Sequence, residues 1–117
     1  MSRHAPDELS RGSVVWIDFD PTLGREQSGH RPALVVSSDH YLDVVTTLAI
    51  VVPITTVDRG WPNHVPLGDE AGLKQPSWAI VEQPRAVARL RVSGSAGFAS
   101  RSTMATVDMY LKDFLGL

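Results

Sequence analysis

The chain reads as a mostly β domain closed by a C-terminal α-helix, and three observations carry that reading. Around Val14 to Phe19 the side chains alternate, Val14, Trp16 and Asp18 against Val15, Ile17 and Phe19, which is the period of a strand. The stretch from Thr46 to Thr56 is dense in β-branched residues and fits a central strand. Near the end, Met104, Val107, Leu111, Phe114 and Leu115 recur at three- and four-residue steps, the spacing of one helical stripe. Together they predict a small, mostly antiparallel barrel or curled sheet with the helix packed on it.

Residues 1–10 read as a short flexible lead-in to a single domain over residues 11–117. The first strand stops at Asp20-Pro21-Thr22-Leu23-Gly24, where proline and glycine break the ladder. Pro32 restarts an extended segment through Ser38. Asp39 to Val45 fits either a loop or one helical turn. Pro53 inside the central strand predicts a bulge or an edge. Short strands are expected at His64 to Leu67, Ser77 to Glu82 and Arg85 to Leu90, with turns at Asp58-Arg59-Gly60 and Gly68 to Gly72. Ser102 or Thr103 is the expected cap of the final helix, with Asp108 and Lys112 paired on its outer face.

The 117 residues suffice for a core without covalent staples. The absence of cysteine excludes disulfides and thiolate metal sites and suits the cytoplasm. The polar N-terminal segment has no apolar core of a signal peptide, and no run approaches a membrane-spanning length. A net charge of −2 does not advertise a nucleic-acid binder. Nine of the eleven basic residues are arginine, however, and Arg85, Arg89, Arg91 and Arg101 fall close together, so either a basic groove or arginine-rich codon usage accounts for them.

Chemistry concentrates in Gly24-Arg25-Glu26-Gln27-Ser28-Gly29-His30-Arg31-Pro32, between two strand-like segments. Guanidinium forks match phosphate oxygens in geometry and charge. Arg31, held extended by Pro32, can stabilise charge on a phosphoryl group; the alternative is a surface salt bridge to Glu26 or Asp20. Thr55 and Thr56 end an apolar strand with two hydroxyls, which either bind phosphate or merely reflect β-propensity. Asp18 and Asp20 share a strand face and could hold Mg²⁺, but no third carboxylate at suitable spacing completes a cage, and a turn-opening role fits them better. His4, His30, His40 and His64 lack paired ligand spacing, so no metal or other cofactor is expected. No nucleophile elbow, phosphate loop or dinucleotide fingerprint occurs.

The segment from Arg11 to Ser37 closely resembles the N-terminal signature of the MazF/PemK (Kid) toxin family, roughly Gly-Asp-x-Val-Trp-x-Asp-x-Asp-Pro-x-x-Gly-x-Glu-Gln-x-Gly-x-Arg-Pro-x-x-Val. Val52-Pro53-Ile54-Thr55-Thr56 is similar to the family's second signature, and Pro62 to Val65 and Val81 to Arg85 also fit. The resemblance implies a small SH3-like (CcdB/PemK-type) barrel forming a homodimer. It implies a metal-independent endoribonuclease that cuts single-stranded RNA at a short sequence, restrained by a MazE-like antitoxin. The substrate class would be mRNA, with tRNA and rRNA as further candidates.

Carried over by position, Arg31 becomes the catalytic arginine and Thr55 its partner, while Glu26, Gln27, His64, Glu82 and Gln83 line the RNA groove. Arg25, His30, Thr56, Asn63 and Arg85 complete the expected RNA contacts. Ser13 and Arg25 depart from the family pattern, the second in a position that bears on base preference. RNA carries its own nucleophile in the 2′-hydroxyl, so attack on the adjacent phosphate would leave a 2′,3′-cyclic phosphate and a 5′-hydroxyl. Trp16, on the first strand, is expected in the core, and Trp61, after a glycine turn, is expected exposed and available for stacking. A contrasting possibility is a CcdB-like toxin of the same fold that grips DNA gyrase and cuts nothing.

Overall fold

Successive residues of a strand turn their backbone polar groups to opposite neighbours, and that alternation organises this sheet. The computed structural model describes residues 9–18 and 30–117. Among them run seven strands: β1 (Ser13–Asp18), β2 (His30–Val35), β3 (Leu48–Thr55), β4 (His64–Pro66), β5 (Trp78–Ile80), β6 (Arg85–Ala88) and β7 (Val92–Phe98). Two helices join them, α1 (Asp39–Val44) after β2 and α2 (Arg101–Leu115) at the end. The strands form one antiparallel sheet in the order β4-β5-β3-β2-β1-β7, with β6 also paired to β3. The mostly β reading with a C-terminal helix therefore holds.

Both faces of the central strands are buried, because their alternating positions feed two cores. Val14, Leu34, Val52 and Ile54 point to one, which Met104 and Val107 of α2 cover. Val15, Ile17, Ala33, Val35 and Val51 point to the other, beneath Leu42 of α1. A strand buried on both faces reads as a continuous apolar run rather than a clean alternation, which explains Leu48 to Ile54.

Of the two readings open for Asp39 to Val45 the helical one holds, over Asp39–Val44, because the Ser38 hydroxyl accepts the Tyr41 N–H at 2.9 Å and Arg89 Nη1 donates to the Leu42 carbonyl at 2.8 Å at the other end. Several other local expectations are corrected. The strand from Arg85 stops at Ala88, and Arg89–Arg91 form a short 3-10 turn. β7 was not expected, since Ser-Gly-Ser-Ala-Gly has little strand propensity; its pairing with β1 and its close contact with Asp69–Ala71 supply what propensity lacks. The cap of α2 is Ser100, whose hydroxyl accepts the Thr103 N–H at 3.1 Å, so the helix begins earlier than Ser102. Phe114 and Leu115 are exposed, and the buried stripe of α2 narrows to Met104 and Val107 with Tyr110 and Leu111 half-buried. Asp108 binds Arg11, not the neighbouring Lys112, tying the start of the domain to its last helix. Leu9 packs against the second core, so the lead-in is anchored at its end, while residues 1–8 lie outside the described residues. No helix among the described residues is long and apolar enough to cross a membrane.

Pro53 is neither at an edge nor in a bulge. The Ile50 carbonyl accepts from Val36 and Ser37 beside β2, at 2.9 and 3.2 Å. By alternation Pro53 faces away from β2. There β3 changes neighbours, from β6, whose pairing ends at Val51, to β5, whose pairing begins at Ile54. The missing N–H falls in the gap between them, where no ladder bond is lost.

Candidate functional site

A second proline opens the sheet where the first lies in its gap. Even-numbered residues of β2 face β3, as the Val36 N–H shows, so Pro32 turns its ring nitrogen toward β3. The register Leu34↔Val52, Ala33↔Pro53 brings Pro32 opposite Ile54. Pro32 has no N–H to give there, and the pairing of the two strands ends at Ala33↔Pro53. One step further the same register sets Arg31 opposite Thr55. Both side chains line an open cleft of about 450 Å³ whose floor includes Pro32, Pro53 and Ile54.

Each side chain arrives there for a local reason. Arg31 is exposed near the end of the pairing with β1, opposite Ile17. Thr55 is half-buried, and its hydroxyl oxygen accepts the Val57 N–H at 3.0 Å. That bond occupies a lone pair and leaves the hydroxyl proton available to a ligand. The chain then turns at Asp58, whose carboxylate accepts the Gly60 N–H at 2.9 Å, with Gly60 at φ +73°, a value that favours glycine. This turn brings Arg59 and Trp61 to the cleft. Trp61 is 52% exposed, as its position after the glycine predicts.

The remaining wall is built on β4 and the residues after β5. His64, Glu82 and Gln83 all line it. The His64 side chain is 3% exposed and its ring lies 4.9 Å from the Trp61 ring, centroid to centroid. Its Nε2 lies 3.5 Å from Glu82 Oε2, and neither ring nitrogen makes a hydrogen bond among the described residues. Asn63 Nδ2 donates to Glu82 Oε1 at 2.6 Å. The Val81 N–H donates to the Asn63 carbonyl at 3.3 Å, which continues the β4–β5 pairing and fixes Asn63 beside Glu82.

The sequence-derived set thus divides. Arg31, Thr55, His64, Glu82 and Gln83 share the cleft. Asn63 stands behind Glu82 and reaches the cleft through it. His30 turns to the other side of β2, where its Nε2 lies 3.0 Å from Ser93 Oγ and its ring 6.1 Å from that of the half-buried Trp16. Thr56 is exposed just past β3, and Arg85 stands on β6 opposite Val51; neither lines the cleft. Arg25, Glu26 and Gln27 lie outside the described residues, as does Asp20, the companion of Asp18. Arg59 was missed. The signal for it was an arginine between a turn-forming Asp58 and Gly60, directly after the strand that carries Thr55.

Residues 10–115 match the family described as PemK-like, MazF-like toxin of type II toxin-antitoxin system. The chain is 37% identical over 112 residues to the endoribonuclease toxin MazF of Escherichia coli (strain K12), spanning 95% of this chain and 90% of that protein. It is 34% identical over 115 residues to the endoribonuclease MazF9 of Mycobacterium tuberculosis, spanning 93% and 98%. The crystal structure of a MazE–MazF complex (Form-II) from Deinococcus radiodurans contains a chain of the same fold, with a TM-score of 0.78, 32% identity and coverage of 93% of this chain and 96% of that one. The match runs through both strands that flank the cleft and through the terminal helix, and the chain belongs to the PemK-like, MazF-like toxins of type II toxin–antitoxin systems.

Proposed function

We propose that this protein is a MazF-type toxin endoribonuclease and that the cleft between Arg31 and Thr55 is where it cuts. The observation that carries the site is the shared cleft: Arg31 of β2 and Thr55 of β3 both line it, just past the Ala33↔Pro53 pair at which the ladder between their strands ends. The names of the full-length relatives support the activity.

The chemistry follows from the groups available. The 2′-hydroxyl of the nucleotide before the scissile bond attacks the neighbouring phosphorus. The bond to the 5′-oxygen breaks as the 2′-hydroxyl proton passes to water and the leaving 5′-oxygen takes one from it, leaving a 2′,3′-cyclic phosphate on one fragment and a 5′-hydroxyl on the other. Negative charge grows on the non-bridging oxygens as the phosphorane forms. Arg31, permanently cationic and exposed to the cleft, meets that charge with a two-pronged donor. Thr55 donates its free hydroxyl proton to the same phosphate and fixes its orientation. The substrate is single-stranded RNA, because the attacking oxygen is absent from DNA and unpaired bases can be splayed into a cleft beside Trp61.

A MazE-like antitoxin is the expected partner, occupying the groove that RNA would use, and a homodimer is the expected assembly. The structural relative from Deinococcus radiodurans is a MazE–MazF complex, which supports the first of these.

The test is incubation of the purified protein with a long single-stranded RNA in EDTA, followed by mapping of 5′-hydroxyl ends. Discrete cuts within one short sequence are expected. Intact RNA would overturn the reading in favour of a non-cutting toxin, and cleavage that requires Mg²⁺ would reassign the chemistry to a carboxylate site.

A further inference from the structure

In β7, Val92 pairs with Ile17 and Gly94 with Trp16, so Ser93 between them is an extra residue, held in a β-bulge. A bulge re-aims a side chain that a regular strand would direct elsewhere. Here the Ser93 hydroxyl donates to the Trp16 carbonyl at 3.4 Å, and its oxygen lies 3.0 Å from His30 Nε2. With the hydroxyl proton directed at Trp16, the oxygen accepts from an Nε2–H. The link crosses β1, from the edge strand β7 to the first residue of β2. The His30 ring also leans on Trp16, with 6.1 Å between centroids. Two residues before Ser93, Arg91 Nη1 donates to the Asp18 carbonyl at 3.2 Å, so β7 holds the end of β1 as well.

The start of β2 needs such a link, because the sheet restrains it on one side only. Its pairing with β3 ends at Ala33↔Pro53, and among the described residues Arg31 pairs only with Ile17 of β1. By alternation the backbone polar groups of His30 face β3, past the end of that ladder. What holds His30 to the sheet is therefore its side chain. Neighbouring residues of a strand point to opposite sides, so holding the imidazole toward Trp16 and Ser93 holds the Arg31 guanidinium toward the cleft. On the reading that Arg31 stabilises the phosphorane in this cleft, we propose that Ser93 and His30 form a clasp that positions Arg31 for cleavage. Both are positioning residues: neither lines the cleft, and each acts through Arg31.

The experiment measures kcat and KM on a short RNA containing the mapped cleavage sequence. Ser93→Ala, Ser93→Thr and His30→Ala are each made in the parent and in Arg31→Ala. In the parent, Ser93→Ala should lower kcat about 3–10-fold, the effect of one lost neutral hydrogen bond, with KM and melting temperature unchanged. Threonine keeps the hydroxyl and should restore most of the rate. His30→Ala breaks the clasp from its other end and keeps the test open should Ser93→Ala fail to fold. The double variant should lose no more than the larger single one, because both remove the same link. In Arg31→Ala no guanidinium is left to position, so the same changes should alter the residual rate by less than about twofold. An equal loss in both backgrounds would give Ser93 a merely structural role, and a rise in KM alone would make it an RNA contact. A Ser93→Ala variant that cuts at the parent rate would leave the link without effect. Each of these overturns the clasp while leaving the nuclease intact. Absence of all cleavage by the parent would overturn both readings together.

Discussion

Two places in this sheet depart from regular strand packing, and they do so in opposite ways. At the cleft, Pro32 and Pro53 lack a donor, so neighbouring chains are not drawn together and a space of about 450 Å³ remains. At the far edge, Gly72 and Gly97 lack a Cβ, so β7 and the segment after the Asp69–Ala71 turn come into backbone contact. A Cβ built on Gly97 would meet the Glu70 carbonyl oxygen at 2.2 Å, and one on Gly72 would meet the Ala96 oxygen at 2.0 Å. One site is kept open by a missing hydrogen bond and the other kept shut by a missing methyl. The open site holds charged and polar groups with spare hydrogen-bonding capacity, and the shut one holds none that the chemistry uses. Function and stability are therefore expected to respond to different substitutions.

The largest effect should come from Arg31→Ala. Removing a donor aimed at developing charge costs about 10²–10³ in rate, and Arg31 is exposed at a strand end, so the fold should not suffer. Cleavage of the mapped RNA should fall by that factor with an unchanged melting temperature; a variant that cuts at the parent rate would remove Arg31 from the chemistry. The converse is Gly97→Ala, which leaves the cleft untouched and forces two backbones apart. Overpacking of this kind costs about 1–3 kcal/mol. Denaturant unfolding should show that loss, with Gly94→Ala on the same strand as the comparison, since a Cβ at Gly94 meets nothing within 4 Å. Equal stability of the two variants would mean that the seam yields more easily than its contacts suggest.

What could be read from the sequence follows the same division. Arg31 and Thr55 were accessible because each is marked locally, one by the proline after it and the other by its place at the end of an apolar run. Their opposition across β2 and β3 was not, since it depends on a register that no local signal encodes. The seam was invisible: Ser93 to Gly97 looks like a loop, and only the close approach of another chain explains glycine there. Arg59 escaped notice because a turn residue has no periodicity. Ser100 was passed over as the cap of α2 because Ser102 and Thr103 offered the same chemistry two and three residues later. Phe114 and Leu115 continued a stripe that the helix outruns, extending past the surface that covers Met104 and Val107.

Thr55→Ala probes the open site more gently. A hydrogen bond to a charged group contributes about 1.5–3 kcal/mol, so kcat/KM should drop by about tenfold or somewhat more, with Thr55→Ser restoring most of it. The hydroxyl oxygen also receives the Val57 N–H, so alanine should loosen the entry to the Asp58–Gly60 turn as well. Serine keeps that acceptor, and rescue by serine therefore tests the oxygen and not the methyl. Equal activity of parent and alanine variant would move the role to another hydroxyl, with the adjacent Thr56 first in line.

The smallest effect is expected from Pro32→Ala, and it bears most directly on why the cleft exists. Alanine returns an N–H that faces the Ile54 carbonyl across β2 and β3, so the ladder can gain the pair that now ends short of it. The new bond and the relaxed backbone of the unfolded chain oppose each other, each by about 1 kcal/mol or less. Stability should therefore stay within about 1 kcal/mol of the parent. Arg31 and Thr55 should be drawn closer, and cleavage should fall a few-fold through a raised KM, because the scissile phosphate must enter a narrower space. Unchanged KM, with the added N–H protected from hydrogen exchange, would show that the ladder can close without closing the cleft, and the opening would then have to be credited to Pro53 and the change of neighbour on the other side of β3.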